Sequence, residues 1–101
     1  MAVDLRENSR TFLEYHAELL TEDDHKSFII PEGFAHGFQT LTPNCEMLYF
    51  HTADYNKEFE DCINASDPMI NIKWPLKIDQ QSERDKNQKI LAHDFKGVKL
   101  N

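Results

Sequence analysis

Pro31-Glu32-Gly33-Phe34-Ala35-His36-Gly37-Phe38 is the stretch on which the reading of this chain turns. Proline fixes its own φ and has no N–H to give, so the apolar run at 28–30 has to stop at Pro31. Gly33 can take the positive φ that a tight reversal asks for and that side chains resist. Beyond the reversal a strand is predicted over 37–41. A rigid turn, two glycines and aromatic flanks thus fix the imidazole of His36 beside a strand.

Outward from this turn the chain reads as short strands. Upstream, 3–6 is predicted as a strand, and over 13–19 Leu13, Tyr15, Ala17 and Leu19 alternate with Glu14, His16 and Glu18. That period of two describes a half-buried strand. A helix competes for the same residues, because Glu, Leu and Ala favour helices and Phe12, Tyr15 and Leu19 also share a helical face. Downstream, Thr42-Pro43-Asn44 turns the chain into 46–52, where Met47, Leu48, Tyr49 and Phe50 predict a strand buried on at least one face. Ile70 and Ile72 alternate before Trp74-Pro75, and the polar run 80–88 has room for one or two helical turns. Many short strands with regular turns point to an all-β sandwich or barrel.

The 101 residues make one domain, with little core to spare. A net charge of −7 leaves no clustered cationic surface for nucleic acid or an anionic membrane, so neither is an expected partner. Apolar stretches of a few residues are far short of a membrane span, and the first residues lack the apolar segment of a signal peptide. Cys45 and Cys62 fit no metal-ligand spacing and read as ordinary thiols of a reducing compartment. The expected location is cytoplasmic.

His36 has two readings. An imidazole held in a constrained turn can move a proton near neutral pH, or hold a polarised oxygen through its N–H. It can equally be a core histidine satisfied by a backbone carbonyl. Glu58, Glu60 and Asp61 could form an acid/base pair, but the residues around them read more simply as a solvated turn. Trp74 followed by a strand-ending proline reads as packing rather than as a pocket wall. Neither a Gly-rich phosphate loop nor a Gly-x-Ser-x-Gly elbow occurs in the sequence.

The stretch from Ile30 to Phe38 is followed by Glu46-Met47-Leu48-Tyr49, Thr52, Tyr55, Glu60, Asp67-Pro68, Ile72, Trp74-Pro75 and Ser82-Glu83-Arg84-Asp85. In this order the residues resemble the dTDP-4-dehydrorhamnose 3,5-epimerases, and upstream Val3-Asp4-Leu5-Arg6, Ser9 and Thr11-Phe12 fit in register. The resemblance covers nearly the whole chain. It implies an all-β, cupin-type jelly roll, here partial, with a short helical segment near the C-terminus. It also implies one truncated epimerase-type cupin domain over 1–101 that pairs as a homodimer. The implied activity is epimerisation at C3 and C5 of a dTDP-4-keto-6-deoxyhexose, in dTDP-rhamnose biosynthesis, without a cofactor.

Residue by residue, the resemblance puts Tyr49 where the family has its proton-donating tyrosine, and His36 where a histidine contacts the sugar nucleotide. Tyr55 matches an aromatic that stacks near the substrate, and Glu60 a substrate-binding carboxylate. Asp85 matches the aspartate that orients the catalytic histidine, and Arg84 stands at a substrate-binding position where relatives often have lysine. Pro31-x-Gly33-x-x-His36 resembles half of a cupin metal motif, but its His-x-His partner is absent and no metal is expected.

The sequence departs from the family in one respect. Members carry, before the position of Val3, strands with an Arg-Gly-Leu-His type motif whose histidine is the general base, and that motif is not in this sequence. His16, in the alternating polar set, and His25, in a polar turn, are both expected to face solvent. Loss of a general base costs roughly 10²–10⁴ in rate, so weak or absent activity is expected of the chain alone. The alternatives are a non-catalytic cupin remnant that binds a ligand or partner, and a related 3-epimerase or ketoisomerase. A jelly roll short of strands exposes edges and an apolar inner face, which is a second reason to expect a dimer or larger assembly.

Overall fold

The computed structural model describes residues 1–52, 61–78 and 80–100. Its sheet has three short antiparallel strands, β1 (Ala2–Asp4), β2 (Tyr15–His16) and β3 (Phe34–His36), with β1 in the middle. The register pairs Ala2 with His16 on one side and with His36 on the other, and Val3 with Tyr15 and Ala35. All three residues of β1 are buried, as a central strand requires. Among the described residues the remainder is turn and coil apart from one short helix, α1 (Glu83–Lys86). No helix among them is long and apolar enough to cross a membrane.

Apolar burial centres on Val3, Leu5 and Ile70, with Leu13, Tyr15, Ala35, Ile63, Ile72, Leu91 and Phe95 packed around them. The C-terminal segment reaches this centre through a parallel bridge between Arg6 and Val98. There Val98 N donates to Leu5 O at 2.6 Å and Glu7 N donates to Val98 O at 2.8 Å. Gly97 makes this approach possible. Its φ is +105°, and a Cβ added to it would lie 2.6 Å from Leu5 O and 2.7 Å from Glu7 N.

Asp4 is a carboxylate only 1% exposed in the central strand, and such a group has to be paired. Arg6 gives it three N–H bonds of 2.9–3.0 Å, from the main chain, Nε and a terminal nitrogen. Ser9 and Thr11 each add a hydroxyl at 2.5 Å. The turn after β1 therefore folds back over its own strand. Asp67, also 1% exposed, organises the second half in the same way. It accepts from Met69 N at 2.9 Å through Oδ1 and from Leu91 N at 2.6 Å through Oδ2. Elsewhere the Gln39 amide pairs with both backbone groups of Leu76, at 2.9 and 3.0 Å.

Several predicted elements take their expected place. A strand forms near 3–6, the alternation at 13–19 resolves in favour of strand through β2, and a helical turn forms inside 80–88. Gly33 has the positive φ, +88°. The other apolar runs are displaced or do not form strands. The run 28–30 is coil, and the strand expected at 37–41 lies three residues earlier as β3, because its register is set by pairing with β1. The described chain at 46–52 is also coil, with Leu48 80% and Phe50 88% exposed. A high strand propensity produces a strand only against a partner edge and a face to cover, and this run has neither in the described sheet.

Arg6, Ser9 and Thr11 hold the Asp4 carboxyl far below the usual carboxylate range, Arg6 contributing most. The unfolded chain titrates near the ordinary value of about 3.9, so this stabilisation is fully present above about pH 5 and drains away as the pH falls toward the folded value. Asp4→Ala should cost about 2–4 kcal/mol, part of it offset because Arg6 can turn to solvent. Urea unfolding from pH 7 to pH 3 checks this: the gap between the two proteins should narrow with acid, and a constant gap would contradict the charge-based account.

Candidate functional site

The residues singled out in the sequence fall in two places. The first lies at the end of β3. Its strand carries His36 as the last residue, held in register by Ala2 and continued by a bond from Gly37 N to Met1 O at 3.1 Å. The turn that delivers it is braced from behind, because the Arg6 guanidinium lies 4.8 Å from the centre of the Phe34 ring. Tyr49 comes to the same place from the coil at 46–52. Its ring centre is 6.4 Å from His36, 6.2 Å from Phe38 and 6.0 Å from His51, the last nearly parallel at 26°.

These rings surround one side of Tyr49. The residue is 46% exposed, and burial pushes its phenol above the ordinary tyrosine value. A phenol is a neutral O–H across the physiological range at its ordinary value already, and the upward shift keeps it so. His36 is exposed, as a group meeting a ligand must be, and is not the core histidine of the alternative reading.

The second place is α1. Ser82 caps it, its Oγ accepting from Asp85 N at 3.1 Å, so Ser-Glu-Arg-Asp is both the recognisable motif and the reason that the turn is helical. Arg84 and Asp85 are exposed on this turn, and Arg84 donates to Cys62 Sγ at 2.9 Å. Tyr55 and Glu60, the other two substrate-binding residues expected, lie outside the described residues. His16 and His25 face solvent, His16 bonded to Glu18 at 2.8 Å.

Sequence reasoning did not single out His51 or the contact of Cys62 with Arg84. Alternation along 46–52 puts Tyr49 and His51 on one face, and that signal was available. The contact of Cys62 with Arg84 spans 22 residues of sequence and carries no local signature. Cys45 and Cys62 are both free thiols.

Short antiparallel strands, coil and one capped helical turn make the described residues a small, mainly strand-and-coil chain. The sequence profile described as dTDP-4-dehydrorhamnose 3,5-epimerase matches residues 1–93, and the chain belongs to that family. A dTDP-4-dehydrorhamnose 3,5-epimerase of Methanothermobacter thermautotrophicus is 43% identical over 97 residues, covering 93% of this chain and 52% of the relative. The enzyme of the same name from Pseudomonas aeruginosa is 41% identical, covering 91% of this chain and 51% of its own. One from Mycobacterium tuberculosis is 34% identical, covering 98% and 48%. The chain thus spans about half the length of these relatives. No solved structure gives a significant match.

The Tyr49 phenol is the group whose ionisation the site has shifted, and difference titration can read it. Subtracting the ultraviolet titration of Tyr49→Phe from that of the unaltered protein should leave one phenol ionising above the ordinary value of about 10. A difference transition at or below that value would mean that the surrounding rings do not desolvate it.

Proposed function

We propose that this chain carries the proton-donating part of a 3,5-epimerase site for a dTDP-4-keto-6-deoxyhexose, on the route to dTDP-rhamnose. The C4 ketone acidifies the hydrogens on C3 and C5. A base breaks the C–H bond and keeps the proton, and the electron pair moves onto the ketone oxygen as an enolate. Tyr49 then delivers its phenolic proton to the opposite face of the same carbon. The new C–H bond inverts the centre, and the phenolate recovers a proton from solvent.

In this reading His36 contacts the sugar nucleotide, Tyr55 stacks near it, Glu60 and Arg84 bind it, and Asp85 orients the basic histidine. The base is either His36 or a histidine outside this sequence. The observation that carries the reading is the closeness of the His36 and Tyr49 rings, 6.4 Å between centres, in a chain that matches the epimerase family over 1–93. The 101 residues act as one cupin-type jelly-roll domain, in the cytoplasm, where free thiols persist. Two copies pair through the apolar run at 47–50, which is uncovered in the single chain.

Two measurements check this. With dTDP-4-keto-6-deoxyglucose in D₂O, NMR should show deuterium entering C3 and C5, and Tyr49→Phe should slow the completed epimerisation by about 10²–10⁴. If His36→Asn abolishes exchange, His36 is the base; a folded sample that exchanges nothing would favour a non-catalytic cupin. Sedimentation at micromolar concentration should give a dimer, and a uniform monomer would remove the pairing from the proposal.

A further inference from the structure

Three hydrogen bonds tie the segment 62–67 to α1 and the residues after it. Arg84 donates to Cys62 Sγ at 2.9 Å, Asn64 Nδ2 donates to Gln88 O at 2.7 Å, and Leu91 N donates to Asp67 Oδ2 at 2.6 Å. The partners advance together along the sequence, so the two segments run side by side in the same direction. Two of these bonds hold main chain: Asn64 and Asp67 fix the backbone at Gln88 and Leu91. The third differs, because what it holds is the guanidinium of Arg84.

We propose that Cys62 is a positioning residue for Arg84, its sulfur being one of the contacts that set the orientation in which the guanidinium meets the sugar nucleotide. This rests on the reading of Arg84 as a substrate-binding residue. The chemistry explains why an anchor matters at this position. A lysine ammonium is a point charge with freely rotating donors and has no plane to set. A guanidinium is a flat fork whose donors are useful only when that plane is aimed, and an acceptor on one edge aims it. Asn64 and Asp67 keep the two segments parallel, so the Cys62 sulfur stays at the height of α1.

Calorimetric titration of the full chain with dTDP-4-keto-6-deoxyglucose tests the assignment. Cys62→Ala should weaken binding by about threefold to tenfold, while Cys62→Ser, which keeps an acceptor, should stay within about twofold of the unaltered protein. The thermal midpoints of the two variants should match, which a merely structural role for the thiol would not give. In an Arg84→Ala background, Cys62→Ala should change affinity no further. Cys62→Val, closer in volume, replaces Cys62→Ala if that variant does not fold. Unchanged affinity in Cys62→Ala, or an equal loss in the Arg84→Ala background, would overturn the role of Cys62 and leave the reading of the site standing. An unaltered, folded chain that does not bind the sugar nucleotide would overturn that reading and this role with it.

Discussion

A carboxylate sealed into the central strand is the constraint from which the rest of the N-terminal half follows. Asp4 has to be satisfied where it lies, and the nearest donors are those of Arg6, Ser9 and Thr11, so the chain after β1 turns back on itself. Arg6, held by that carboxylate, presents its guanidinium to the ring of Phe34. Its Cγ lies so near Gly33 that a Cβ there would sit 2.5 Å away, and Leu5 N takes the Gly33 carbonyl at 3.0 Å. The turn is thus seated on the arginine and the strand leaving it ends at His36. One buried charge fixes the place of an imidazole more than thirty residues away in sequence.

What the sequence disclosed and what it hid divide by the range of the forces involved. Pro31, Gly33 and Ser82 act on their own backbone through fixed φ, permitted positive φ and a capping oxygen, so the turn and the short helix could be read residue by residue. The apolar residues at 46–52 were different. Their pattern describes a surface that a sheet can accept, and whether a sheet accepts it depends on an edge that the run itself does not contain. The offset of β3 has the same origin, since its limits are set by the three residues of β1 opposite. His36 and Tyr49 were named from the family likeness and stand near each other; Arg84 and Asp85 were named from the same likeness and stand on α1. The contact between Cys62 and Arg84 has no local signature, because it arises only when two distant segments lie in parallel.

The two halves of the chain use one device. In each, a carboxyl group only 1% exposed collects donors: Asp4 from the turn at 6–11, and Asp67 from nearby Met69 and from Leu91, 24 residues on. For a chain with so small an apolar centre, such hubs are a way to specify shape without bulk, since a misplaced segment would leave a buried charge unpaired. For Asp4 the cost is dependence on ionisation.

The apolar run beside Tyr49 gives the same logic a functional side. Leu48 and Phe50 are largely exposed, while the phenol between them is desolvated by His36, Phe38 and His51 on one side alone. Any surface that covers 47–50 removes further water from the same phenol, and removal of water from a phenol disfavours its anion. Covering the run therefore strengthens the hold of Tyr49 on its proton in the direction the partly open site already shows. Covering the run and raising the phenol are then the same event seen from two sides: apolar area leaves water, and the hydroxyl that the area surrounds loses the solvent that would stabilise its anion.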